Sequence, residues 1–245
     1  QGGGHNTDTL IVASIDPDTG RVALLQLPRD SVEVPVPAGP ARSVWGATYG
    51  GKINSWFVEN RQRADLWPGT DRTRGYNALK AILGELYGLD IRWYVEVNFQ
   101  GFRRVVDTLG GVNINVQVPV SDDAFPTGDR GRLRRLYIPA GPQHMTGEQA
   151  LQYARSRKTT NDFDRGRRQQ RVLLSLREQA DIGRIVANLP ELIGALQQSI
   201  RTDIPPAELP QLLSLAERTD TTNVRSFVFA PPVFATEIRA PVYKL

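Results

Sequence analysis

An arginine-rich segment over residues 155–171 constrains the fold of this chain more than any other feature. Six arginines, one lysine and two aspartates occupy its seventeen positions. Continued as a helix through Ala180, the segment places its apolar residues on one face at about 100° per residue. Arg165 and Gln169 fall within that apolar face. The apolar residues are Val172, Leu173, Leu176 and Ala180.

A buried arginine is costly unless its charge is paired, and its partner can be an aspartate or a phosphate that matches the planar guanidinium. Asp162 precedes the helix and is placed to cap it, and helix N-termini favour anions. Arg167 and Arg171 project to the opposite, solvated face, with Arg168 at the edge. The pattern therefore predicts a pocket for a strongly anionic group, with phosphate as the first choice.

Two other interpretations of this segment stay open: a solvated charged face, and a nucleic-acid-binding patch. A nucleic-acid patch requires exposed arginines and aromatic side chains for stacking, whereas the projection turns Arg165 inward and offers only Phe163. We therefore expect no nucleic-acid partner.

Composition narrows the class of protein. The chain has 245 residues, of which 40% are hydrophobic, and a net charge of +4, which suits a globular α/β protein. The absence of cysteine excludes disulfides, thiolate catalysis and cysteine-ligated zinc. No apolar run approaches the roughly 20 residues of a membrane span. Because the chain begins with Gln1, we expect a fragment or mature form whose membrane anchor precedes it.

Alternating strand and helix patterns predict an α/β fold. Residues 9–15 and 21–27 predict a hairpin, and their consecutive apolar positions suggest strands that are covered on both faces. Residues 121–135 are interpreted as a charged loop in which Asp122 and Asp123 are solvated, with metal binding as the alternative. Thr146 and Gln149 have the spacing of a capping box before a short helix. Further helices are expected over residues 76–87, 100–109, 182–200 and 206–218, and further strands over residues 93–99, 112–118, 136–138 and 224–229.

A set of motifs occurs in a characteristic order over residues 6–180. The motifs are Asn6-Thr7-Asp8-Thr9, Leu27-Pro28-Arg29-Asp30, Lys52-Ile53-Asn54, the stretches 94–102 and 106–112, Gly147-Glu148-Gln149-Ala150-Leu151, Arg155-Ser156-Arg157, and Asp162 through Arg165 to Gln170. On these residues the chain resembles the LytR-CpsA-Psr family of bacterial cell-wall glycopolymer transferases. One position departs from the family pattern, because Asn6 stands where the family usually has arginine.

The resemblance implies one catalytic domain over residues 1–245, in which residues 181–245 form a helical and strand C-terminal portion. Its fold would be a mixed central β-sheet with helices on both faces and an apolar tunnel for a polyprenyl tail. The implied activity is a phosphotransferase, assisted by Mg²⁺ or Mn²⁺, with a possible pyrophosphatase side activity. It would move a glycopolymer from a polyprenyl-diphosphate carrier to peptidoglycan at the extracytoplasmic face of the bacterial membrane.

Carried over by motif, the resemblance assigns residues to two roles. Asp162 would be the acid near the incoming hydroxyl, with Asp164 as the competing candidate, and Asp8 would bind the metal or the site water. The residues near the phosphates would be Arg29, Lys52, Arg155, Arg157, Arg165 and Gln169, with Arg155 and Arg157 central to catalysis. The alternative is a polyprenyl-phosphate or glycolipid-binding protein without turnover.

Overall fold

The structure is a computed structural model that describes residues 7–127, 132–156, 162–179, 199–219, 224–229, 234 and 236, without the side chain of Asp162. Helices and strands are mixed along these residues. The strands are β1 (Leu10–Ile15), β2 (Val22–Leu27), β3 (Val34–Pro35), β4 (Thr48–Tyr49), β5 (Val95–Val97), β6 (Val112–Val116), β7 (Val120–Pro126), β8 (Leu133–Ile138), β9 (Gly141–Met145), β10 (Ile200–Thr202) and β11 (Val224–Val228). The helices are α1 (Pro40–Trp45), α2 (Ile53–Asn60), α3 (Asp71–Tyr87), α4 (Phe99–Thr108), α5 (Gly147–Arg155), α6 (Asp162–Gln179) and α7 (Leu209–Arg218), with a 3₁₀ turn at Pro206–Glu208.

The described strands form one three-stranded sheet, in the order β1-β2-β11, and four two-stranded ladders. The ladders β3–β4, β5–β10, β6–β9 and β7–β8 are all antiparallel. The predicted α/β class is confirmed by this mixture of sheets and helices. The apolar tunnel stays a prediction.

The residues divide into two compact units, and the single domain expected over residues 1–245 stays a prediction. Unit 1 comprises residues 1–13, 25–94 and 229–245. Its core packs α2 and α3 around Trp56, whose indole donates to the Ala78 carbonyl at 2.9 Å. Helix α3 begins before the predicted residue 76, because Thr70 and Thr73 form a capping box, and Gly88 ends it in a left-handed conformation at φ 65°.

Unit 2 comprises residues 14–24 and 95–228. Its core packs strands β6 to β9 against α4, α5 and α6, with Val106, Ile114, Tyr153 and Val172 fully buried. Helix α5 begins at the predicted capping box, in which Thr146 and Gln149 satisfy each other's backbone N–H groups. The core therefore places the C-terminal end of α5 beside α6 and β7.

Three expectations about strands need correction or confirmation. The predicted charged loop over residues 121–135 is wrong for most of its length, because residues 120–126 and 133–138 pair as β7 and β8. The hairpin turn before β2 is confirmed, since the Asp16 N–H donates to the Arg21 carbonyl at 2.9 Å. Strand β1 is not covered on both faces, because its residues alternate between buried and more exposed positions up to Ile15.

Candidate functional site

Three of the predicted site residues meet in unit 1, just after strand β2. The Arg29 Nη1 atom donates to Asp8 Oδ1 at 2.6 Å. Asp30 connects Lys52 to the same group, because its Oδ1 lies 3.6 Å from Lys52 Nζ and 3.9 Å from Arg29 Nε. The structure therefore brings Asp8, Arg29 and Lys52 together, and it adds Asp30, to which sequence reasoning gave no role of its own.

Backbone hydrogen bonds hold this group against the start of helix α2. The N–H of Asn54, in the first turn of the helix, donates to the Arg29 carbonyl at 3.0 Å, and the Ile53 N–H donates to the Ser31 carbonyl at 2.9 Å. The Asn54 carbonyl in turn accepts from the Thr7 N–H at 3.2 Å. Lys52 is the N-cap residue of the helix. The ion pairs thus lie at a helix N-terminus, where the helix dipole also favours negative charge.

The charges of this group suit phosphate chemistry. The Arg29 side chain is 20% exposed, whereas the Asp8 carboxylate is 50% exposed and accessible to a solvated ion. Mg²⁺ in phosphate-transfer sites is commonly held by one or two carboxylates together with substrate phosphates and water. The described residues contain no cluster of three or more histidine, cysteine or acidic side chains. Asp8 and Asp30 are the carboxylates of this group that could hold a metal together with an anionic ligand.

In unit 2, Arg155 ends helix α5 against two aromatic rings. Its guanidinium carbon lies 4.2 Å from the centroid of the Phe99 ring and 5.8 Å from that of Phe125. Contact with a ring face stabilises the cation. The rings come from the first residue of α4 and from β7. Sequence reasoning named Phe99 only as part of a motif and gave Phe125 no role.

Helix α6 confirms the unusual prediction that an arginine faces the core. Arg165 is only 5% exposed, whereas Arg167 is exposed and donates to Asp164 at 3.0 Å, as expected of a solvated face. Gln169 is half-buried, and its Nε2 donates to the Ala154 carbonyl at 3.4 Å. The Gln169 side chain thus joins helix α6 to the C-terminal end of α5.

Other parts of the projection were wrong. Arg168 is 5% exposed instead of lying at the edge, and Leu173 is 42% exposed instead of lying in the core. Arg171 is half-buried and donates to the Tyr153 hydroxyl at 3.0 Å. The buried face follows the spacing of residues 165, 168 and 172. The sequence contains this spacing, but its leucines favour a face that includes Leu173 and Leu176.

Arg168 is the buried cation that sequence reasoning missed. Its Nε donates to the Tyr153 carbonyl at 2.9 Å, and its Nη2 donates to the Ser156 carbonyl at 2.5 Å. Burial lowers the pKa of this guanidinium, while the nearby Tyr153 and Asp164 favour its charged form. An arginine nevertheless stays protonated at neutral pH. It therefore acts as a permanent cation against the carbonyl end of α5.

The expectation that Asp122 and Asp123 are both solvated was half wrong. Asp123 is exposed and pairs with Arg135 at 3.2 Å. Asp122 is only 3% exposed, and its two oxygens accept hydrogen bonds from the Ser156 hydroxyl at 3.1 Å and the Ala124 N–H at 3.1 Å. An irregularity in the β7–β8 register lies between Asp122 and Phe125. Asp122 faces inward because it alternates with buried Val120 along β7, and the irregularity after it makes Phe125 the next buried residue.

Two predicted residues cannot be placed. Arg157 lies outside the described residues, and of Asp162 the structure gives only its position as the first residue of α6. Asp164, the competing acid, is engaged with Arg167. None of the described helices has the length and hydropathy that crossing a membrane requires.

The site motifs lie within a stretch that matches a known family. The model of the LytR_cpsA_psr family aligns with residues 1–231. This chain belongs to the LytR_cpsA_psr family. The predicted resemblance is thereby confirmed.

Two relatives show how far the similarity extends. The chain is 26% identical over 227 residues to the polyisoprenyl-teichoic acid–peptidoglycan teichoic acid transferase TagV of Bacillus subtilis, covering 89% of this chain and 51% of that protein. It is 27% identical over 215 residues to the TagU transferase of Oceanobacillus iheyensis, covering 85% of this chain and 57% of that protein. The chain thus spans about half the length of these curated relatives.

Solved structures support the fold. The crystal structure of B. subtilis TagV superposes with a TM-score of 0.65 at 24% identity, covering 91% of this chain and 76% of that one. The structure of TagT bound to LIIa-WTA gives a TM-score of 0.63 at 20% identity, covering 91% and 73%. The predicted fold of the family is confirmed by these similarities.

Proposed function

We propose that this chain is a phosphotransferase that moves a glycopolymer from a polyprenyl-diphosphate carrier to peptidoglycan. The placement of Arg155 against the Phe99 ring carries the proposal, because it fixes a cation at the end of α5 in the manner of an anion-binding arginine. Family membership supports the same conclusion, as do the names of TagV and TagU, which describe transfer of teichoic acid from a polyisoprenyl carrier to peptidoglycan.

In the proposed reaction, a hydroxyl of peptidoglycan attacks the phosphorus atom that carries the glycan. A new P–O bond forms to that hydroxyl, the bond to the bridging oxygen breaks, and polyprenyl phosphate leaves with the bond's electron pair. Negative charge builds up on the phosphate oxygens during this step, and fixed cations lower its energy. Arg29, Lys52, Arg155, Arg157 and Arg165 are the proposed phosphate contacts.

Two side chains complete this assignment. We assign Asp162 the role of accepting the proton of the attacking hydroxyl, since Asp164 is already held by Arg167 at 3.0 Å. Gln169 would contact a phosphate with its amide, which in this structure donates to the Ala154 carbonyl. The proton of the attacking hydroxyl would thus pass to a carboxylate, while amide and guanidinium donors hold the phosphate oxygens.

A divalent cation is part of the proposal. The half-exposed carboxylate of Asp8 would hold Mg²⁺ or Mn²⁺, with Asp30 as the nearest second carboxylate on Arg29. When bound, the metal would neutralise charge on the diphosphate. We further propose that the chain acts at the extracytoplasmic face of the bacterial membrane, attached through an anchor, and that it has a slow pyrophosphatase side activity.

The proposal is tested by incubating the purified protein with a polyprenyl diphosphate and Mg²⁺ and measuring transfer and phosphate release. Arg155→Ala should reduce turnover by roughly 100-fold or more, as expected when a cation opposite developing charge is lost. Arg167→Ala is the matched control, because Arg167 lies exposed on α6, and its variant should keep full activity. Activity that survives in Arg155→Ala would contradict the assignment.

A binding protein without turnover is the second candidate, and the substitution of Asn6 for the usual family arginine favours it. Mass spectrometry of an organic extract of the purified protein distinguishes the two. A bound polyprenyl phosphate without Mg²⁺-dependent turnover would support the binding protein, whereas turnover of any kind would exclude it.

A further inference from the structure

The C-terminal end of helix α5 is held by side chains of helix α6. Arg168 donates to the carbonyls of Tyr153 and Ser156, and Gln169 donates to the carbonyl of Ala154. The last carbonyls of a helix have no partners within the helix itself. A single turn of α6 therefore satisfies the end of α5 with charged and amide donors, and it fixes the backbone on both sides of Arg155.

Strand β7 holds the same point from another direction. The hydroxyl of Ser156 donates to Asp122 at 3.1 Å, and the other oxygen of Asp122 is fixed by the Ala124 N–H. Ser156 is 1% exposed, and the carboxylate it contacts is also buried, so neither group exchanges its partner for water at low cost. The residue that follows Arg155 is consequently locked between α6 and β7.

The strand that locks Ser156 also supplies a ring to Arg155. Phe125 lies three residues after Asp122 on β7, on the other side of the register irregularity. Strand β7 therefore both places the Phe125 ring against the Arg155 guanidinium and accepts the hydrogen bond from the Ser156 hydroxyl. This arrangement couples the backbone of α5 to the placement of its terminal cation.

We propose that Asp122, Ser156 and Arg168 are positioning residues, which set the orientation of the Arg155 guanidinium toward a phosphate. This inference rests on the proposed function, because it matters only if Arg155 binds a diphosphate. A displacement of about 1 Å in a substrate-positioning group can cost about 100-fold in rate, so bracing of this kind has a measurable effect.

The test is a double-mutant cycle between Ser156→Ala and Arg155→Lys, which keeps the charge but loses the planar fork. The control is Thr146→Ala, which removes the N-cap hydroxyl at the opposite end of the same helix. For each variant we would measure kcat, KM, the melting temperature, and the affinity for inorganic pyrophosphate by calorimetry. If turnover in the Arg155→Lys background is too slow to measure, the double-mutant cycle is calculated from the pyrophosphate affinities instead.

If Ser156 acts through Arg155, Ser156→Ala should lower kcat or pyrophosphate affinity by roughly 10-fold in the wild-type background and by less than about 2-fold with Arg155→Lys. Thr146→Ala should lower the melting temperature by about as much as Ser156→Ala does. Its effects on kcat and on pyrophosphate affinity should be equal in the wild-type and Arg155→Lys backgrounds. Equal effects of Ser156→Ala in both backgrounds would overturn the inference and leave the proposed function standing.

A wild-type protein that neither turns over the diphosphate nor binds pyrophosphate would overturn both the inference and the proposed function. Pyrophosphate binding without turnover would overturn only the transferase, and the cycle in affinity would still decide the inference.

Discussion

Replacing Arg168 with methionine should destabilise the protein more than any change at its exposed neighbours. The guanidinium makes two hydrogen bonds, at 2.9 Å to the Tyr153 carbonyl and at 2.5 Å to the Ser156 carbonyl. Each buried carbonyl that is left unpaired costs about 1–3 kcal/mol, which gives roughly 2–6 kcal/mol for the pair. Methionine avoids the cost of burying a charge, so we expect a net loss of about 2–4 kcal/mol.

Urea denaturation followed by circular dichroism measures this loss, with thermal denaturation as a second observable. At this chain length the expected loss corresponds to a fall in melting temperature of about 5–15 °C. Arg167→Met on the same helix is the control, since Arg167 is exposed and its pair with Asp164 is worth at most about 0.5 kcal/mol. If Arg168→Met costs no more than Arg167→Met, the buried cation does not hold the end of α5, and the reasoning fails.

Three further predictions concern stability. Gly147→Ala should cost about 1–3 kcal/mol in urea denaturation, because its new Cβ would lie 2.2 Å from the Arg103 carbonyl oxygen and push α5 away from α4. Tyr87→Phe should leave stability unchanged or raise it by up to about 1 kcal/mol, since the buried hydroxyl has no hydrogen-bond partner among the described residues. Burial raises the pKa of Tyr87 above its unfolded value of about 10, so the wild-type protein should lose stability as the pH rises past 10, and Tyr87→Phe should reduce that loss. The hydrogen bond from Gln152 and the charge of Arg103 lower the pKa of Glu148. The Glu148 carboxylate therefore contributes to folding stability above its unfolded pKa of about 4.3, and this stability is lost as the pH falls below that value. Glu148→Gln should therefore make the acid part of a melting-temperature profile shallower.

Local sequence patterns predicted the features that depend on neighbouring residues. The capping box at Thr146 and Gln149 and the turn after Asp16 depend on side chains and backbone within a few positions, so their sequence signatures suffice. The inward position of Arg165 also followed from periodicity, because a helix fixes which residues share a face.

Contacts between distant residues were beyond such patterns. The sequence predicts that Asp122 is one of two solvated acids. In the structure its carboxylate accepts a hydrogen bond from the hydroxyl of a serine 34 residues away. The burial of Asp122 depends on the pairing of β7 with β8, which forms where the sequence predicts a charged loop. The grouping of Asp8 with Arg29 likewise came from the family motifs and not from the spacing of these residues.

The sequence by itself determined the α/β class, the family, the main helices and the inward position of Arg165, because these features follow from periodicity, caps and ordered motifs. Only the tertiary structure decided which arginine serves which purpose. Arg168 and Arg167 are adjacent and chemically identical, and they differ because one reaches the carbonyl end of α5 and the other reaches water. The cost of burying a charge is offset only where a specific set of acceptors surrounds it, and that set is assembled by the packing of α5, α6 and β7.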